Sequence, residues 1–151
     1  MLLIINILFC LLLILELIID IKYYYIPNIL VIFLILIGII NFFINQNFLN
    51  FFGSFLGFSV FLSLYLLFPK GIGFGDVKLA GAIGLFLGFR LTILAVLLSF
   101  FSGAIVGLLL IALGKKTMKD PIPFGPFLAF GAIFSMFFGE YIIDWYLNLF
   151  I

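Results

Sequence analysis

The chain has 151 residues, 68% of them hydrophobic and only 9% charged, and its mean hydropathy is +1.53. Soluble domains carry about 25% charged and about 45–50% apolar residues, so this composition excludes a soluble globule, a disordered chain and a nucleic-acid binder, and leaves a multi-spanning membrane protein. Seven Lys/Arg against six Asp/Glu give a net charge of +1, histidine is absent and Cys10 is the only cysteine, which excludes an internal disulfide, a Cys-pair or HExxH zinc site and a Ser–His or Cys–His dyad.

A membrane-crossing helix needs about 20 predominantly apolar residues. The apolar runs break at charged or Gly/Pro-rich points and predict six spans: Leu2–Ile19, Ile26–Phe43, Phe51–Phe68, Val77–Phe89, Leu91–Leu113 and Phe124–Ile143. The expectation is an all-α, polytopic membrane bundle of about six helices, forming a single transmembrane domain over residues 1–151. The fourth span is short and runs almost directly into the fifth at Arg90. The first has no basic stretch before it and no small-residue cleavage site, and it ends in Glu16 and Asp20, so it reads as a span and not as a signal peptide.

Within span 1, Asn6, Glu16 and Asp20 fall in an arc of about 80° at 3.6 residues per turn, a polar stripe expected to face the bundle interior. With six spans, the loops after spans 1, 3 and 5 share one side. They hold Lys22, Lys70, Lys78, Lys115, Lys116 and Lys119, whereas the opposite side holds Arg90 and the uncharged stretch Asn41–Asn50, read as an external loop. The positive-inside rule places the lysine-bearing loops in the cytoplasm.

On that side Asp20 ends span 1 and Asp76 begins span 4, at the same depth. Two carboxylates at one depth in a low-dielectric setting do not readily both ionise; they share a proton and their titrations split. Aspartic proteolysis uses this arrangement: the ionised partner takes a proton from water and the protonated partner polarises the scissile carbonyl. Taken alone, Asp20 also reads as a helix end at the interface and Asp76 as an N-cap. Gly71, Gly73 and Gly75 precede Asp76 at alternate positions and allow close approach of an extended peptide. Lys78 either eases ionisation of Asp76 or snorkels to the headgroups. Pro27 suits the first turn of span 2, and Tyr23, Tyr24 and Tyr25 suit the interface.

Three segments then carry a family likeness: Asp20 followed by Ile26-Pro27-Asn28; Gly73-Phe74-Gly75-Asp76-Val77-Lys78, a GxGDxK motif; and Ile122-Pro123-Phe124-Gly125-Pro126. In this order, on one membrane side of a six-span chain, they resemble the type 4 prepilin peptidases, membrane aspartic proteases of the GxGD type, over roughly Glu16 to Gly131. The resemblance implies that Asp20 and Asp76 are the catalytic pair and that they cleave the short basic leader of prepilin-like membrane precursors at the cytoplasmic face of the inner membrane, with no cofactor. Gly73, Gly75, Lys78, Pro27, Asn28 and Glu16 are expected to support the pair, and the resemblance suggests that the segment with Pro123, Gly125 and Pro126 shapes the mouth of the site and contacts substrate. Larger relatives carry an extra region with cysteine pairs, linked to N-methylation; these 151 residues hold no such cysteine pairs, so peptidase activity alone is expected. Some relatives carry an acidic residue two positions after the first aspartate, where this chain has Lys22.

Other residues keep two readings. Glu16 either tunes the protonation of Asp20 or is a neutral carboxyl hydrogen-bonded to a neighbouring helix. Asp120 is a solvated loop charge or a contact for a basic leader. Glu140 and Asp144, beside Tyr141, Trp145 and Tyr146, read as an interfacial belt. Gly53/Gly57, Gly84/Gly88 and Gly103/Gly107 have the spacing of close helix packing. Two alternatives to the peptidase are a non-catalytic pilus-assembly subunit and a small proton-coupled transporter, the latter expected to place its acids near mid-bilayer.

Overall fold

The computed structural model describes residues 1–68, 71–117 and 120–149, so Lys70 and Lys119 lie outside the described residues. Six helices follow in order: α1 Leu2–Tyr23, α2 Asn28–Asn45, α3 Leu49–Leu67, α4 Phe74–Leu87, α5 Phe89–Ala112 and α6 Gly125–Asn148. The described residues form no strand. Five of the helices, all but α4, are long and apolar enough to cross a membrane.

The burial pattern inverts that of a soluble protein. Leu3, Ile4, Ile7, Leu8 and Leu11 of α1 are exposed, while the buried set includes Glu16, Asp20, Asn41, Asn50, Asp76, Thr92, Ser99 and Ser135. An apolar exterior suits lipid, and small or polar side chains serve the contacts between helices. The polar stripe of α1 does face inward: Ile5, Phe9, Leu13, Glu16 and Asp20 are its buried residues, at the three- and four-residue steps that keep side chains on one helical face. Asn6 beside them is half-buried.

Helix α4 has 14 residues, a length of about 21 Å, short of the ~30 Å hydrocarbon core. It is the central helix, and ten of its residues are buried: Asp76, Val77 and all from Leu79 to Phe86. It packs against α2, α3, α5 and α6. Its small residues make this possible. A Cβ on Gly84 would strike the backbone of Gly53, and one on Gly57 would strike the carbonyl of Ala80, so α3 and α4 meet backbone to backbone.

The three GxxxG pairs therefore differ in use. Gly53 and Gly57 pack as their spacing implies. Gly88 packs against Gly53 and also makes the sharp turn from α4 to α5 with φ +79°, a conformation that suits glycine. Gly103 and Gly107 face the side chains of Phe124, Phe127 and Ile122. A close approach that the spacing did not signal brings Gly131 of α6 against the Ala95 carbonyl of α5.

The stretch Asn41–Asn50 is mostly helical, which corrects its reading as a loop: α2 runs to Asn45 and α3 starts at Leu49. Asn41 and Asn50 are buried. Asn41 Nδ2 donates to the Phe86 carbonyl at 3.0 Å, one of the carbonyls left over at the end of α4.

Candidate active site

The connections after α1, α3 and α5 converge at one end of the bundle around a cleft of about 500 Å³. Asp20 and Asp76 both line it, with Tyr24, Tyr25 and Ile26 from the first connection, Gly71 to Gly75 from the second, and Pro121 to Phe124 from the third. Lys116 ties the third connection to the first: its Nζ donates to Tyr24 Oη at 3.1 Å and to the Pro121 carbonyl. Sequence reasoning assigned Tyr24, Ile72 and Phe124 no role in the cleft they line, since no motif marks which large side chain of a loop turns inward.

Asp20 lies in the last turn of α1, which runs three residues further, to Tyr23. The helix continues because its C-cap, Tyr24, takes the left-handed conformation (φ 54°) and donates its N–H to the Asp20 carbonyl at 2.8 Å. The Asp20 side chain is 4% exposed, and its Oδ2 accepts the N–H of Gly125 at 3.0 Å. Gly125 is the first residue of α6, so a free N–H of that helix start points at the carboxylate.

Asp76 is not the N-cap of α4. Gly73 holds that position, and Asp76 is the third residue of the helix. The two close a reciprocal ring: Gly73 N–H donates to Asp76 Oδ2 at 2.9 Å, and Asp76 N–H donates to the Gly73 carbonyl at 3.1 Å. With no side chain at Gly73, this is the carboxylate half of a capping box, completed by the backbone. Asp76 is 6% exposed, and its Oδ1 has no hydrogen-bond partner among the described residues.

Glu16 lies beneath the cleft, fully buried. Both of its oxygens lack a partner among the described residues, so the expected hydrogen bond to a neighbouring helix is not formed. Its Oε1 and Asp20 Oδ2 crowd the place that a Cβ on Gly125 would take.

The other expected site residues divide. Gly73, Gly75 and Pro123 line the cleft, and Gly75 sits tightly on Ile26, whose Cβ would lie 3.1 Å from a Cβ there. Gly125 and Pro126 are not among the lining residues; they form the first turn of α6, one step behind. Pro27 is the N-cap of α2, one position before the helix proper. Lys78 lines a different cleft, of about 510 Å³, together with Asn28. Its Nζ bonds the Asn28 Oδ1 and lies 5.5 Å from the Phe74 ring centre. Two residues on along a helix is a turn of about 200°, which carries Lys78 to the face opposite Asp76.

Outside the cleft, Arg90 pairs with Glu140 at 3.4 Å and Asp144 at 3.1 Å, all three well exposed, so the acids read as an interfacial belt have an ionic partner. Asp120 Oδ2 accepts from Thr117 N–H at 2.6 Å and Thr117 Oγ1 at 2.9 Å. These bonds, the backbone one foremost, hold its carboxyl below the usual carboxylate range.

A model of the type IV leader peptidase family matches residues 7–108, which include Asp20 and Asp76. Among curated proteins, the prepilin leader peptidase/N-methyltransferase of Legionella pneumophila is 35% identical over 138 residues, 86% of this chain and 48% of that protein. The protein of the same name from Pseudomonas aeruginosa is 33% identical over the same shares, and that of Aeromonas salmonicida is 40% identical over 101 residues, 64% of this chain and 35% of its own length. The chain thus spans about half the length, or less, of these relatives. No solved structure matches it. By the extent of these matches, and with five helices apolar enough to span, the chain is a multi-pass membrane protein that belongs to the type IV leader peptidase family.

Proposed function

We propose that the chain is an aspartic endopeptidase that removes the short basic leader of prepilin-like precursors, with Asp20 and Asp76 as the catalytic pair. The observation that carries this reading is the shared cleft: two buried carboxylates from α1 and α4 line it together, each held by one glycine N–H. One carboxylate, ionised, takes a proton from a water as its oxygen attacks the scissile carbonyl. The other, protonated, hydrogen-bonds the carbonyl oxygen and stabilises the charge that develops there. The proton then passes to the departing amine.

The substrate would lie as an apolar helix in the membrane, unwound at the cleft. Gly71, Ile72 and Gly73 support this, because they line the cleft ahead of α4 and the glycines leave room for an extended strand to approach. The cytoplasmic orientation rests on Lys22, Lys78, Lys115 and Lys116 at the cleft's end of the bundle and Arg90 at the other. Both aspartates belong to terminal turns of their helices, which favours interfacial hydrolysis over a mid-bilayer proton relay.

The test is an in-membrane cleavage assay with a prepilin-like substrate, read by gel shift and mass spectrometry. Wild type should release the leader. Asp20→Asn and Asp76→Asn should each lose at least about 100-fold in rate at unchanged expression. Cleavage by either variant at the wild-type rate would sink the proposal.

A further inference from the structure

The paired-aspartate reading leaves one buried carboxyl unused. Glu16 is fully buried, and neither of its oxygens has a partner among the described residues. An isolated ionised carboxylate in such a place is strongly disfavoured, so the side chain sits there with its proton on. A neutral carboxyl has one O–H to donate.

The acceptor within reach is Asp20. Glu16 lies four residues before it on the same face of α1, the spacing at which helical side chains meet. Glu16 Oε1 and Asp20 Oδ2 converge on one point over Gly125, where the absence of a Cβ leaves them room. Each aspartate accepts one glycine N–H, Asp20 from Gly125 and Asp76 from Gly73, and Asp76 Oδ1 has no partner among the described residues.

Resting on the paired-aspartate reading, we propose that Glu16 is a positioning residue that hydrogen-bonds from its retained proton to the Asp20 carboxylate, directly or through one water. This makes Asp20 the base of the pair and leaves the pair's proton on Asp76. With two donors, Asp20 is the better stabilised anion. Asp76 Oδ1 is then the oxygen that offers a hydrogen to the scissile carbonyl. Glu16 touches neither the attacking water nor the substrate in this arrangement and acts only through Asp20.

The experiment uses the full chain in lipid nanodiscs with a prepilin-like substrate, and measures kcat, KM and thermal unfolding for wild type, Glu16→Met, Glu16→Gln, Asp20→Asn and Asp76→Asn. Methionine has similar length and needs no partner, so Glu16→Met should unfold no earlier than wild type. Its kcat should fall about 10- to 100-fold, the value of one hydrogen bond to a charged group, with KM within about twofold. Glu16→Gln keeps an N–H donor and should recover most of that loss. Glu16→Leu replaces Glu16→Met if the latter does not fold. Full kcat in the apolar variant, or an equal loss in Glu16→Gln, overturns the role. Loss in Asp20→Asn together with full kcat in Glu16→Met overturns this role alone, whereas undiminished cleavage by Asp20→Asn overturns the pair and this role with it.

Discussion

The N–H of Gly125 donates to Asp20 over 3.0 Å, across 105 positions of sequence. The bond joins the start of α6 to the end of α1 and sets the direction in which Asp20 faces the cleft. Gly125→Ala keeps the N–H but puts a Cβ where Glu16 Oε1 and Asp20 Oδ2 stand. One of the three must move. The expected outcome is a loss of cleavage of at least about tenfold, with a stability loss of about 1–3 kcal/mol, the usual range for overpacking. A cleavage assay beside thermal unfolding in lipid checks both.

Gly73 holds Asp76 in the same manner, through its N–H at 2.9 Å. Gly73→Pro removes that donor and should lower the rate about 10- to 100-fold. Gly73→Ala keeps it, and the new Cβ would sit 3.4 Å from Asp76 Oδ2, an ordinary contact, so its loss should be about threefold. Equal rates for the two variants would show that the hydrogen bond does not position Asp76.

The contact between α3 and α4 should tolerate no added carbon. Gly84→Ala places a methyl against the backbone of Gly53, whereas a Cβ on Gly107 would meet the Ile122 side chain at 3.6 Å. Thermal unfolding should show a loss of about 1–3 kcal/mol for Gly84→Ala and about 0.5 kcal/mol or less for Gly107→Ala. Glycines of the same spacing in sequence thus differ in what they tolerate, because of these two only Gly84 meets another helix's backbone.

Arg90 and its partners Glu140 and Asp144 are about half exposed. Ion pairs in that setting contribute about 0–1 kcal/mol and are screened by salt. Arg90→Ala should therefore leave cleavage unchanged and lower stability by no more than about 1 kcal/mol, with a smaller difference at high salt. A stability scan at two ionic strengths decides it.

Asp120 carries the pH dependence of the loop before α6. Thr117 holds its carboxyl below the ordinary carboxylate range. A depressed value in the folded state means that the contribution is complete above the unfolded value of about 3.9 and is lost as the pH falls through the folded one. Protection of the Thr117 amide against hydrogen exchange should hold at pH 5 and disappear only in stronger acid. Asp120→Ala should lower it at pH 5.

Much of this was legible in the residues. Composition alone demanded a membrane bundle, because a chain with so few charges has no polar surface to offer water. Helix positions followed from where apolar runs break, and the inward stripe of α1 from the 3.6-residue period. Asp20 and Asp76 stood out because a charge in an apolar chain needs a reason. Helix ends were less legible. Asp20 and the stretch Asn41–Asn50 are helical because backbone caps and an inward hydrogen bond to Phe86 satisfy groups that composition marks as loop.

Other features depended on how the helices pack. Lys78 follows Asp76 by two residues, yet it joins Asn28 on the opposite face of α4, because helical rotation separates neighbours in sequence. Gly125 resembles a substrate contact in its motif but acts on Asp20. Glu16 shares a face with Asp20 by period alone, but its burial without a donor from another helix among the described residues is a property of the packed bundle. The sequence by itself determined the bundle, that Asp20 and Asp76 stand at one end of it, and the small residues that let helices touch. Only the tertiary structure decided which donor meets which carboxylate, since hydrogen bonds depend on directions at the scale of an ångström and α1, α4 and α6 acquire those directions only when packed together.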